Sequence, residues 1–228
     1  MHASLAVFHH ACEQVHPSDV EEFAPNDPGY LSYVRGLNAI LADRRLPEKA
    51  DPGVSEAISL TRWGDRNSER APDAFRRFRV FTNSIALCLT IRDGDPCDDR
   101  APNYTAIGLI DDAVATADEP LLALLPETID ELRAALIAQH ETDELPYLSF
   151  AQLLLAANRD ANLAEQSTLA NRVIQDDDHL SDRITSSFVF GCSHFDQLAS
   201  LWRHHTARLL STDDSTVRLV RDAVLDES

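Results

Sequence analysis

Residues 71–93 read APDAFRRFRVFTNSIALCLTIRD, and the rest of the chain is interpreted around this stretch. Pro72 and Asp73 are typical of a first helical turn, because a proline there leaves no needed amide donor missing and a carboxylate is stabilised by the helix dipole. Residues 80–91 are apolar nearly all round. A helix of that kind must be enclosed by other helices, so the stretch predicts a buried central helix over residues 72–91.

A strand is the competing interpretation of the same segment. Ile85, Leu87 and Leu89 alternate with smaller residues, and alternation is typical of a half-buried strand. The run is long for a strand, however, and Phe75 and Phe78 continue one helical face into its second half. We therefore expect a helix.

Most of the remaining chain repeats apolar residues at spacings of three and four, the period of an amphipathic helix. Further helices are predicted at residues 4–15, 30–46, 52–63, 104–117, 128–140, 145–158, 161–175, 180–190, 194–210 and 216–225. The helix at 128–140 is expected to open at Pro126-Glu127 and to be buried through Ile129, Leu132, Leu136 and Ile137. The segment 184–190, ITSSFVF, would also suit a strand. The predicted fold is all-α, a multi-helix bundle or α/α stack of about ten helices around the central helix.

The chain is expected to form one all-α domain over residues 1–228. Residues 93–103 contain the richest run of turn-forming residues, so this segment is the candidate boundary if the chain is divided. A single domain is preferred because the apolar central helix needs more partners than residues 1–70 supply.

The chain is strongly acidic, with 38 Asp and Glu against 20 Lys and Arg and a formal net charge of −18. The residues before Val114 carry 12 basic and 18 acidic side chains, and the rest carry 8 and 20. Such a surface repels phosphates, which argues against direct binding of nucleic acid or anionic membrane. The acidity favours either solubility or adaptation to a salty environment on one hand, or a functional surface on the other. Such a surface would attract a cationic protein partner or mimic nucleic acid to block a DNA-binding protein.

The sequence favours a cytoplasmic protein with reduced thiols. Four cysteines are scattered without a CxxC pair or a zinc-like spacing. The N-terminus lacks the basic region and long apolar core of a signal peptide, and no apolar run approaches the length of a membrane span.

The first predicted helix contains the strongest candidate for a metal site. His9, Glu13 and His16 are spaced four and three residues apart, so they share one strip of helix surface. Imidazole and carboxylate are good ligands for divalent metals, and Glu-x-x-His is used in di-metal helical bundles. A second Glu-x-x-His pair is missing. The structural alternative is that both histidines flank a core seam and support Glu13.

Two aspartate groups could add carboxylates to such a site. Asp111 and Asp112 lie on a predicted helix, but Ala115 interrupts the Asp-Asp-x-x-Asp pattern that binds Mg²⁺ against diphosphate. The second group, residues 176–178 with Asp182, is better explained as a helix N-terminus.

Two functional hypotheses follow. No P-loop, Gly-x-Ser-x-Gly or Gly-x-Gly-x-x-Gly motif is present, and Cys192 beside His194 is a weak nucleophile motif. The leading hypothesis is therefore a protein without a cofactor that binds a protein partner, basic by charge complementarity, or a second copy of itself. The alternative is a metal-dependent, hydrolase-like helical enzyme that holds a divalent ion through His9, Glu13 and His16 with Asp111 or Asp112.

Overall fold

A computed structural model describes residues 2–22, 31–48, 72–94, 102–141, 145–158 and 163–176. These residues are mostly helical, and no strand occurs among them. The all-α prediction is confirmed at this level. The described ranges contain eight helices, whereas about ten were predicted. The predicted helices at 52–63, 180–190, 194–210 and 216–225, and the strand alternative at 184–190, lie outside the described residues.

The chain separates into two compact units, Met1–His140 and Glu141–Ser228. The helices of the first unit are α1 (Ala3–Gln14), α2 (Pro17–Glu22), α3 (Leu31–Asp43), α4 (Pro72–Asp93), α5 (Pro102–Thr116) and α6 (Glu119–Ala138). The described helices of the second unit are α7 (Leu145–Asn158) and α8 (Leu163–Asp176), which pack against each other. The helices on either side of segment 93–103 belong to the same unit and pack together.

Helix α4 is the predicted central helix, and it is a helix and not a strand over its whole length. Residues 80–90 are all buried, and α4 packs against α1, α2, α5 and α6. Burial of this many apolar side chains is the main favourable term that holds the first unit together.

Polar side chains in the buried part of α4 bond to the helix itself. The hydroxyls of Thr82, Ser84 and Thr90 donate to the carbonyl oxygens of Phe78, Phe81 and Ala86, at 3.1, 2.7 and 2.9 Å. A buried hydroxyl without a partner would destabilise the fold, so these bonds explain how Thr82, Ser84 and Thr90 tolerate burial.

Helix α6 corrects one sequence expectation. Pro126 was expected to begin a new helix, but it lies inside α6, which runs without interruption from residue 119. Leu121, Leu122 and Leu125 before the proline are buried, as are residues of the same face after it. Their burial keeps the segment helical across the proline, although a proline in a helix interior removes a backbone hydrogen bond.

Among the helices described, none is long and apolar enough to cross a membrane.

Candidate functional site

Among the described residues of the first unit, a cluster of three charged groups lies between α4 and α5. Arg79 of α4 donates from Nε to Asp112 Oδ2 at 2.7 Å and from Nη2 to Asp111 Oδ2 at 2.9 Å. Its Nη2 also bonds to Asp112 Oδ1. The guanidinium carbon lies 5.7 Å from the centre of the Phe75 ring, within the range of a cation–π contact. One arginine therefore holds two consecutive carboxylates of the neighbouring helix.

The charges of this cluster are unequally buried. The Asp112 side chain is fully buried, whereas those of Asp111 and Arg79 are 26% and 18% exposed. Burial raises the pKa of Asp112 to about 6, against the attraction of Arg79, and the nearby Asp111 carboxylate adds to the rise. Burial disfavours the charged form of Arg79, but Asp112 and Asp111 outweigh it and raise the Arg79 pKa.

Close approach of α4 and α5 is helped by a glycine. A Cβ atom added at Gly108 would lie 2.8 Å from Asn83 Nδ2, so the glycine leaves room for that buried amide. Arg79 lies one helical turn before Asn83, and Asp112 lies one turn after Gly108. This spacing places the guanidinium opposite the two carboxylates.

The predicted metal residues Asp111 and Asp112 are thus brought together, and in this structure both accept hydrogen bonds from Arg79. Glu13 accepts a hydrogen bond from Arg44 Nη1 at 3.1 Å on the exposed surface. His9 is half-buried and its ring contacts that of Phe8, while His16 is exposed. The part of the chain that is described contains no group of three or more His, Cys, Asp or Glu arranged to hold a metal ion. The metal site stays a prediction.

Among the described residues, the shortest contact between a histidine and a carboxylate is made by His10, which lies outside the predicted strip. His10 Nε2 lies 2.8 Å from Asp118 Oδ2, and both side chains are largely buried. The other carboxylate oxygen of Asp118 accepts a hydrogen bond from the Leu121 amide at 3.1 Å and caps the first turn of α6. His10 was not predicted from the sequence, because residue spacing within α1 gives no sign of a partner that lies 108 residues away.

Two further carboxylates stabilise helix ends or helix contacts. Asp19 of α2 accepts two hydrogen bonds from Arg77 of α4, both at 2.9 Å, and one from the His16 amide at 3.0 Å. Burial opposes ionisation of Asp19, but these bonds outweigh it and lower the Asp19 pKa. Glu131 of α6 accepts from the amides of Ala3 and Ser4, at 2.8 and 3.0 Å, and so caps α1 from a different helix.

The two cysteines among the described residues of the first unit are poor nucleophiles. Cys12 and Cys88 are free thiols and are buried. Burial raises the pKa of Cys12 to about 11 and that of Cys88 to about 12. The Cys88 thiol donates to the Ser4 carbonyl oxygen at 3.0 Å. Both thiols are protonated near neutral pH, and the thiolate is the reactive form. Cys192, the candidate considered from the sequence, lies outside the described residues.

Helix α6 presents a continuous exposed face, which we call the outer face. It is formed by Glu119, Ala123, Glu127, Asp130, Ala134 and Ile137. Ile137 is 48% exposed, although the sequence pattern predicted that it would be buried beside Leu136. One residue advances a helix by about 100°, so Ile137 lies away from the buried row that contains Leu132 and Leu136. Ile137 was expected in the core because it is apolar, although it lies on the exposed face of α6 and Leu136 on the buried face.

Comparison with protein-family models, with curated proteins and with solved structures finds no match for this chain.

Proposed function

We propose that this protein acts by binding another protein, and that the partner is basic. The observation that carries the proposal is the distribution of acidic side chains in residues 102–141, which contain eight acidic residues and one basic residue. Four of the eight make internal contacts: Asp111 and Asp112 with Arg79, Asp118 with His10, and Glu131 with the α1 amides. The side chains of the other four, Glu119, Glu127, Asp130 and Glu141, are exposed to solvent, and Asp130 makes an interaction there as well.

This division favours a binding role over a catalytic one. The buried and half-buried carboxylates are engaged by arginine, histidine or helix amides, which is the pattern of groups that stabilise a fold. The exposed carboxylates leave a negative field over the surface of α6. Such a field attracts cationic partners and speeds their association, and it repels nucleic acid and anionic lipid.

A cytoplasmic location is part of the same proposal. Cys12 and Cys88 are both free, and reduced thiols are the rule in the cytosol. A basic cytoplasmic protein is therefore the expected partner, and a second copy of this acidic chain would meet charge repulsion.

The proposal is tested in two steps: binding proteins are first captured on the immobilised protein, and the affinity of a purified partner is then measured. Wild-type protein and a variant carrying Glu119→Gln, Glu127→Gln and Asp130→Asn are immobilised in parallel. Proteins retained only by wild type are purified, and their affinity and stoichiometry are measured by calorimetry. We expect a basic protein that forms a stoichiometric complex with a Kd of about micromolar or tighter. A strict monomer in light scattering, with no stoichiometric complex, would overturn the proposal.

A further inference from the structure

Helix α4 is buried over most of its length, and its apolar residues do not by themselves define one alignment against a neighbouring helix. Residues 80–90 are all buried, and the adjacent helix α5 buries Ala106, Leu109, Ile110 and Ala113. The hydrophobic effect is non-directional and scales with the area removed from water. Two apolar helices that slide past each other by one turn keep most of that area, so burial alone leaves the register of α4 and α5 open.

Two polar contacts, one helical turn apart, connect these helices in a single alignment. Arg79 Nε donates to Asp112 Oδ2 at 2.7 Å. One turn further along α4, the side-chain amide of Asn83 lies against Gly108, where a Cβ atom would come within 2.8 Å of Asn83 Nδ2. The contacts are four residues apart on each helix and follow the two chains in opposite directions, so one antiparallel register satisfies both.

A slip of one turn, about 5.4 Å, would break both contacts. It would move Arg79 away from Asp112 and leave a fully buried carboxylate without its guanidinium, and an unpaired buried charge strongly destabilises a fold. Gly108 is the one glycine of α5, so every other register presents a Cβ atom to the Asn83 amide. Asp111 favours the same register, since it accepts a hydrogen bond from Arg79 Nη2 at 2.9 Å.

Desolvation limits what the charges of this cluster contribute to stability. Burial raises the pKa of Asp112 to about 6 in spite of Arg79, so desolvation disfavours the charged carboxylate more than the arginine favours it. A buried ion pair can often be replaced by apolar residues of similar volume without loss of stability. A polar residue in an apolar helix contact, by contrast, specifies register at a cost in stability.

We propose that Arg79, Asp111, Asp112, Asn83 and Gly108 form a register lock, which selects one alignment of α5 against α4. The surrounding apolar residues stabilise the contact, and the lock excludes the other alignments that those residues alone would allow. Without the lock, the first unit would stay helical and compact but would have more than one packing arrangement. The lock does not depend on the proposed binding of a partner.

The test replaces the charges with apolar side chains and measures the register by NMR. The first charge-free variant is Arg79→Met, Asp111→Asn, Asp112→Leu, and the second is Arg79→Leu, Asp111→Asn, Asp112→Met. Protein deuterated except at glycine and asparagine gives the nuclear Overhauser effect between the Asn83 side-chain amide and the Gly108 α-protons, which are neighbours only in the native register. Urea denaturation measures stability.

The matched control is Arg44→Met, Glu13→Gln, Asp73→Asn. It removes one positive and two negative charges, as the charge-free variants do, but at exposed sites outside the contact between α4 and α5.

We expect the charge-free variants to unfold at the same urea concentration as wild type or at a higher one. Their Gly108 amide should nevertheless give doubled or exchange-broadened resonances, and the Overhauser effect should fall to about half or less because several registers are populated. Wild type and the control should each give one sharp resonance and the full effect.

A charge-free variant with one sharp Gly108 resonance and the full effect would show that apolar packing alone sets the register, and would overturn the proposal. Equal loss of the effect in the control would assign the change to net charge and would also overturn it, as would absence of the effect in wild type. If neither charge-free variant folds, or if both unfold at clearly lower urea concentration, the cluster acts through stability and the register lock is wrong.

Discussion

Arg79 connects two helices through charge, and its removal should be costly. The guanidinium holds Asp111 and Asp112, and one of these carboxylates is fully buried. Without the arginine the buried cluster would keep two negative charges and no cation, and breaking a buried pair in this way costs about 3–5 kcal/mol.

We therefore expect Arg79→Gln to lower the free energy of unfolding by about 3–5 kcal/mol in urea denaturation. Arg79→Lys should lower the free energy of unfolding by a smaller amount, because an ammonium group keeps the positive charge but cannot form the bidentate hydrogen bonds of a guanidinium. Arg76→Gln is the control. Arg76 is 37% exposed and lies 3.6 Å from the exposed Asp73, so its loss should cost less than about 1 kcal/mol. Equal effects at positions 76 and 79 would contradict the buried cluster.

The buried aspartates Asp112 and Asp19 should show opposite pH trends. The pKa of Asp112 is raised from 3.8 to about 6 in the folded protein. Between those values the folded protein holds more protons than the unfolded chain, so this group's contribution to the free energy of unfolding falls as the pH rises from about 4 to 6. The pKa of Asp19 is lowered, so its contribution is present above the ordinary value of 3.8 and is lost as the pH falls through the lowered pKa.

Urea denaturation at pH 4.5 and pH 7 should separate the two. The free energy of unfolding of Asp112→Asn, relative to that of wild type, should rise by about 2 to 3 kcal/mol between pH 4 and pH 7. Between pH 4.5 and pH 7 the rise should be somewhat smaller. The free energy of unfolding of Asp19→Asn should fall furthest below that of wild type at pH 7. This difference should shrink as the pH is lowered. Parallel trends for the two variants would contradict these assignments.

The metal hypothesis is decided by elemental analysis of tag-free protein. Glu13 is paired with Arg44, and both Asp111 and Asp112 are bound by Arg79, so we expect no stoichiometric metal and no effect of chelator on melting. About one equivalent of metal, lost on His16→Ala, would instead favour the metal-dependent enzyme.

The C-terminal ends of three helices allow the backbone geometry to be tested at the scale of secondary-structure elements. Arg44, Ala117 and His140 follow the C-termini of α3, α5 and α6 and have positive φ angles of 48°, 51° and 62°. This backbone conformation costs a residue with a Cβ roughly 1–2 kcal/mol and is the position where glycine is preferred.

Ala117→Gly should therefore raise the free energy of unfolding by about 0.5–1 kcal/mol. The substitution relieves the backbone strain, and the extra conformational entropy of glycine in the unfolded chain offsets part of that gain. Ala123→Gly, at an exposed position inside α6, is the control and should lower stability by about 1 kcal/mol. Thermal or urea melts of both variants measure the difference. A loss of stability at position 117 would contradict the backbone geometry at the end of α5.

Helices were predictable from sequence where one local signal dominated. The length and uniform apolarity of residues 80–91 predicted the buried part of α4, and Leu145–Asn158 was predicted with the bounds that the structure has. Pro126 was misread because a local rule was applied where burial of leucines on both sides outweighs it.

The partners of charged residues were not predictable in the same way. Arg79 and Asp112 lie 33 residues apart, and Glu131 lies 128 residues from Ala3. Such contacts depend on how helices pack and not on spacing within one helix. The sequence pattern grouped Asp111 and Asp112 as candidate metal ligands, whereas the arginine that both contact in the structure could be found only from the fold.

At the scale of the whole molecule, the first unit depends on the enclosure of α4. Its buried residues contact four neighbouring helices, and Arg77 and Arg79 attach its polar side to α2 and α5. If this account is right, the amides of residues 80–90 can exchange with solvent only when the whole unit unfolds.

Hydrogen exchange measured by mass spectrometry tests this most directly. Peptides covering residues 80–90 should exchange most slowly in the first unit, with a protection free energy equal to that of global unfolding, while α2 (Pro17–Glu22) exchanges much faster. Exchange of residues 80–90 as fast as that of α2 would show that α4 is not enclosed, and would contradict the account.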